Sequence, residues 1–108
     1  MPHYMIQFTY TSETWAKLSK NPENRAEAVK ALIEKLGGRM LAFYFAFGEY
    51  DGIIITEMPD ANAASVAAIM ANAAGHLKAM KTTPLVTAED GLAIMRKAGS
   101  MTFQAPKG

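Results

Sequence analysis

The chain contains no cysteine. That one absence removes disulfide frameworks, thiolate nucleophiles, cysteine-ligated zinc and iron–sulfur clusters together. An excess of charge is missing too, since 11 Lys and Arg stand against 10 Asp and Glu in 108 residues. So close a balance implies neither a nucleic-acid field nor a polybasic membrane patch. The short basic clusters Lys17/Lys20 and Arg96/Lys97 read as solvated helix faces. Long apolar runs are also lacking: the longest, residues 40–47, falls far short of the roughly 20 residues a membrane helix needs. Met1-Pro2-His3-Tyr4 lacks the charged-then-apolar pattern of a signal peptide. A soluble, cytoplasmic protein with neither nucleic acid nor membrane as partner is therefore expected. His3 and His76 are the only histidines, and neither has a carboxylate at ligand spacing, so no metal is expected. With no phosphate loop and no nucleophile–base pair, no cofactor is expected either.

What is present is largely apolar. Half of the residues are hydrophobic and 19% are charged, below the roughly 25% of an average globular protein, which argues against disorder. The length suits one domain and one core, and a deep internal cavity would have to be built with a partner. Residues 3–10 alternate, with Tyr4, Ile6, Phe8 and Tyr10 on one side and His3, Met5, Gln7 and Thr9 on the other, as in a half-buried strand. A short helical turn carrying Trp15 and Leu18 follows. Asn21-Pro22 then looks like the cap of a main helix with Val29, Leu32, Ile33 and Leu36 at helical spacing, stopped by Gly37-Gly38. Residues 39–47 and 52–58 read as strands joined by Gly48-Glu49-Tyr50-Asp51-Gly52, in which Asp-Gly is a hairpin signal. Pro59-Asp60 opens a second helix with the stripe Val66, Ile69, Met70 and Ala73 and a stop at Gly75. Residues 76–86 form a weaker strand, which Pro84 confines to an edge or end. Thr87 and Asp90 outline a capping box for a last helix ending near Gly99.

The order is that of an α+β, ferredoxin-like βαββαβ fold: an antiparallel four-stranded sheet, two helices on one face, and an extra C-terminal helix. Residues 1–99 make the domain and 100–108 an irregular tail. The second strand carries the main functional signal. Leu41, Phe43, Phe45 and Phe47 form one face and Met40, Ala42, Tyr44 and Ala46 the other, so both are dominated by apolar side chains. Helices on one side of a sheet bury only one of them. With the phenylalanines toward the helices, the face of Ala42, Tyr44 and Ala46 is open, joined by Ile54 or by Ile53 and Ile55 according to register. An open apolar face of this kind is an interaction surface, and a homodimer through it is expected, with further assembly left open.

Residues 37–60, above all Gly48, Tyr50 and Asp51 with Phe43-Tyr44 before them and Glu57-x-Pro59-Asp60 after, resemble the GYD domain family. Asn24-Arg25-Ala26-Glu27 also fits. The resemblance implies a ferredoxin-like fold of the dimeric α/β-barrel type and implies almost nothing about activity. It departs after the second helix, where the family tends toward an Asn- and Arg-containing strand and this chain has Gly75-His76-Leu77-Lys78.

Several side chains are candidates for chemistry. Asp51 offers a base and Tyr50 a hydrogen-bond donor, against a plainer role in the turn. Gln7, Thr9, Tyr44, His3 and Thr56 are expected to share the open face, where a dimeric barrel would meet a small ligand among apolar walls. Tyr44, Asp51 and His3 are the catalytic candidates; Gln7, Thr9, Tyr44, Tyr50 and Thr56 are the ligand candidates. Arg25 and Arg39 are candidates for an anion. The leading expectation is a dimeric module binding a small, partly apolar molecule between stacked sheets. The alternatives are a cofactor-independent oxygenase or isomerase, a structural or regulatory interaction module, and an N-terminal-proline tautomerase using Pro2 as base.

Overall fold

A computed structural model describes residues 1–107. β1 (His3–Tyr10) leads through α1 (Ser12–Lys20) to α2 (Arg25–Lys35), then β2 (Arg39–Phe45), β3 (Gly52–Glu57), α3 (Ala61–Ala73), β4 (Leu77–Leu85) and α4 (Ala88–Gly99). The four strands form one sheet in the order β2-β3-β1-β4, every neighbouring pair antiparallel, which is the expected ferredoxin-like arrangement. Residue 108, the end of the expected tail, lies outside the described residues.

Local chemistry accounts for most boundaries. Thr11 caps α1 by accepting from the amide of Thr14, Asp60 caps α3 by accepting from that of Ala63, and Thr87 caps α4 by accepting from that of Asp90. The expected cap at Asn21-Pro22 is displaced. Asn21 instead closes α1, which is a full nine-residue helix rather than a turn, and Asn24 caps α2 through the amide of Ala26. Gly37 and Gly75 end their helices with φ of 83° and 79°, values that favour glycine. β4 is an edge strand, where Pro84 near its end costs no central ladder bond.

The alternation of β1 decides which face is covered. Tyr4, Phe8 and Tyr10 are buried together with Ile54, Ile33 and Met58, and Ile6, Val29, Leu36, Phe43, Ala63 and Ala64 pack against them. This is the helix side. Three expectations change here. Leu41 is an extra residue: Met40 stands opposite Thr56 and Ala42 opposite Ile55, so a bulge puts Met40 against the core and leaves Leu41 exposed. α3 turns its alanines inward, with Ala67 buried, while Val66, Ile69 and Met70 are exposed, the reverse of the expected stripe. Thr56 lies opposite Tyr4 on the helix side and is fully buried, so it does not belong to the open face.

α4 has no buried residue, and Leu92, Ile94 and Met95 along it are exposed. The radius of gyration is 17.5 Å, against about 13 Å for a compact domain of this size. The molecule spans 58 × 36 × 22 Å, and α4 and residues 100–107 are exposed along nearly their whole length. Among the described residues no helix is long and apolar enough to cross a membrane.

The Thr56 hydroxyl has no hydrogen-bond partner among the described residues. A buried donor left unpaired costs more than the same volume of methyl group. Thr56→Val is therefore expected to stabilise the fold by about 1 kcal/mol. Urea denaturation checks this, and an unchanged or lower midpoint at constant slope would contradict it.

Candidate functional site

The pairing register places four rungs across the open face. Arg39, Glu57, His3 and Leu85 make the first, Ala42, Ile55, Met5 and Thr83 the second, Tyr44, Ile53, Gln7 and Lys81 the third, and Thr9 with Ala79 the fourth. His3, Gln7, Thr9 and Tyr44 thus share this face as expected, with Ile53 and Ile55 rather than Ile54 between them. The centre is apolar and the flanks are polar. On the first rung Glu57 Oε1 lies 3.2 Å from His3 Nε2, and Oε2 lies 3.2 Å from Arg39 Nη2. Glu57 was not among the candidates. Its role depends on facing both His3 and Arg39 across strands, which only the register reveals.

The hairpin is organised differently from a tight Asp-Gly turn. Its loop runs from residue 46 to 51, closed by Ala46 N to Asp51 O at 2.9 Å and Gly48 N to Tyr50 O at 3.2 Å. The left-handed residue is Phe47, with φ of 54°. Asp51 works as a strut: Oδ2 accepts from the Tyr10 amide at 2.9 Å and from Trp15 Nε1 at 3.0 Å. Its amide donates to Phe8 O at 2.8 Å. A carboxylate already holding two N–H donors ties the hairpin to β1 and α1. Gly52 is glycine because the Phe8 ring occupies the space a Cβ would need. Gly48 has open space around it, and Tyr50 is half-buried.

Around this strut the aromatic rings form a continuous path outward. Phe8 meets Tyr10 at 5.0 Å, Tyr10 meets Trp15 edge-on at 5.1 Å, and Trp15 lies 6.1 Å from both Phe45 and Phe47. Phe47 ends the path, exposed to solvent.

The helix side holds something that sequence reasoning assigned only to a dimer. A cavity of about 80 Å³ lies inside the protomer, between α2, α3 and the sheet. Its walls are apolar except for Tyr10, Arg25 and His76. Arg25 and His76 also line a wider polar recess of about 510 Å³ between α1 and the turn after α3, so they stand between the two spaces. The His76 carbonyl is held by Thr11 N at 3.2 Å and Thr14 Oγ1 at 2.8 Å, which anchors the backbone from which the imidazole lines the mouth. The Tyr10 and His76 ring centres are 6.0 Å apart. Burial raises the Tyr10 pKa above 10.0, an effect the adjacent Arg25 partly offsets, and burial together with Arg25 lowers that of His76 below 6.5. The phenol is thus kept protonated and the imidazole neutral near pH 7, leaving Arg25 as the fixed charge, which Glu23 meets at 2.8 Å from the solvent side. No spacing rule links positions 10, 25 and 76, so this trio was legible only once the fold was known. No group of three or more His, Asp or Glu side chains suited to a metal occurs among the described residues.

A Thermus thermophilus protein described as a glutamine synthetase and cystathionine beta-lyase binding protein is 29% identical over 89 residues, covering 82% of this chain and 94% of that one. The crystal structure of MtbAldR superposes with a TM-score of 0.58 at 17% identity over 80% of this chain, which spans only 53% of that structure's length. Ribosomal protein S6 from Thermotoga maritima gives a TM-score of 0.54 at 16% identity, covering 91% and 97% of the two chains. At such identities the two structures speak for the fold alone. The family model of the GYD domain matches residues 4–95, nearly the whole folded body, and the chain belongs to the GYD domain family.

Proposed function

We propose that the protein is a homodimeric binding module in which two copies stack their open sheet faces, as in a dimeric α/β barrel. A small, partly apolar molecule would be held between them beside Gln7, Thr9 and Tyr44. The observation supporting this is the apolar centre of the open face, Met5, Ala42, Ile53 and Ile55, with the helices packed on the other side. A stable interface of standard size buries about 800 Å² per partner. At roughly 25 cal/mol per Å² of apolar surface, leaving such a block wet is costly. The polar groups at the two ends of the block, Arg39, Glu57 and His3 on the first rung and Thr9 on the fourth, supply the rim that sets how two copies align. This reading assigns no catalytic step.

Size-exclusion chromatography with light scattering tests it. Wild-type protein at tens of micromolar is expected to run as a dimer. Ile55→Lys, which sets a charge in the middle of the dry block, is expected to run as a folded monomer. A monomeric wild type would end the proposal.

A second reading has its own support: the module also docks a partner protein. α4 leaves Leu92, Ile94 and Met95 exposed, and the Thermus relative is named for binding two enzymes. Because α4 contributes nothing buried, Leu92→Glu with Met95→Glu is expected to leave the melting temperature unchanged within a degree or two. Co-elution with purified glutamine synthetase from the same source should then be lost. Wild-type protein that fails to co-elute, or a double variant that still does, would exclude this reading.

A further inference from the structure

We infer that each protomer carries a binding site for a small carboxylic acid with a short, branched apolar tail, seated between α2, α3 and the sheet. The site lies within one chain, on the side of the sheet away from the proposed interface, and does not rest on dimerisation.

Three features of the cavity select this chemistry. Its volume, about 80 Å³, is roughly half of the ~150 Å³ that admits benzene, so the tail is a branched alkyl group of about three to five carbons. Its deep walls, including Ile6, Ile54, Val29 and Ala71, offer no polar partner, so the buried end of the ligand is hydrocarbon. All of its polar groups converge at one end, where Arg25 supplies a positive charge and Tyr10 a hydroxyl donor beside a neutral His76. A planar carboxylate matches the guanidinium fork, while a neutral head would leave that charge without a partner from within. The recess that Arg25 and His76 also line would give the route of entry. Glu23, largely exposed, pairs with Arg25 at 2.8 Å, and an arriving ligand carboxylate would share the guanidinium with it or displace it.

The space exists because α3 presents alanine where a larger side chain would close it. Ala67 and Ala71 face the cavity, while Val66, Ile69 and Met70 on the same helix point to solvent. The site therefore has a simple antagonist, a larger residue at position 71.

The experiment is a titration of full-length, methyl-labelled protein with 3-methylbutanoate and, separately, with 3-methylbutanamide, its neutral isostere, followed by NMR. Saturable shifts are expected at the methyls of Ile6, Ile54 and Met80 on adding the acid, with affinity at least tenfold lower for the amide. Arg25→Gln should bring the acid down to the level of the amide. Ala71→Leu should abolish binding while raising the melting temperature by filling the void; Ala71→Val serves if the leucine does not fold. Ile55→Lys should bind the acid as wild type does, even if dimerisation is lost or never occurs. Absence of saturable shifts, equal affinity for acid and amide, or undiminished binding in the folded position-71 variant would each overturn the inference.

Discussion

The structure depends on the two-residue period of β1. This strand is central, paired on both sides, so its choice of face passes through the ladders to β3 and β4 and through β3 to β2. The choice is decided by magnitude. Tyr4, Phe8 and Tyr10 lie on one side, and an aromatic side chain buries 150–250 Å², worth at most about 4–6 kcal/mol each at 25 cal/mol per Å². The other side offers Met5 among His3, Gln7 and Thr9. Helices go to the aromatic side, and the second apolar surface, made by Ile53, Ile55 and Ala42, is left open as a consequence.

What could be read from the residues was whatever local chemistry determines. The alternation of β1, the caps at Asp60 and Thr87, the glycine stops and the edge position of the proline-bearing strand all follow from interactions within a few residues. Long-range pairing hid the rest. One extra residue at Leu41 reverses the parity of Met40, and nothing in an apolar run marks which residue is the extra one. Thr56 looks like a surface residue until its register with Tyr4 carries it inside. Asp51 suggested a turn or a base, yet its partners, Tyr10 and Trp15, stand 41 and 36 residues away. The polar face of β1 was legible as a set, while the trio at the cavity mouth needed three elements to meet.

The orientation of α3 links two otherwise separate features. A helix apolar nearly all round has no single obvious stripe, so packing decides which side turns inward. Here the small side chains of Ala63, Ala64 and Ala67 let the helix approach the sheet closely. The same rotation leaves unfilled volume below it and exposes Val66, Ile69 and Met70 above it. Turned to bring Val66 inward, the helix would exchange both features for a fuller core. The void and the outer apolar surface are thus two results of one rotation, each giving up some stability of the isolated protomer.

Strand periodicity also explains how so small a domain can offer the two proposed binding surfaces. Phe8 and Tyr10 wall the cavity, while Gln7 and Thr9, their neighbours in sequence, face the opposite side. A strand presents two separate surfaces with successive residues, because adjacent side chains diverge to opposite faces of the sheet. The cost is that both surfaces share one backbone. That backbone is secured where the two meet the hairpin: the Asp51 carboxylate holds the end of β1 and the Trp15 indole, and its amide binds the Phe8 carbonyl. Its place in the family motif is accounted for by this anchoring, which serves both faces of the sheet and requires no reaction at the carboxylate.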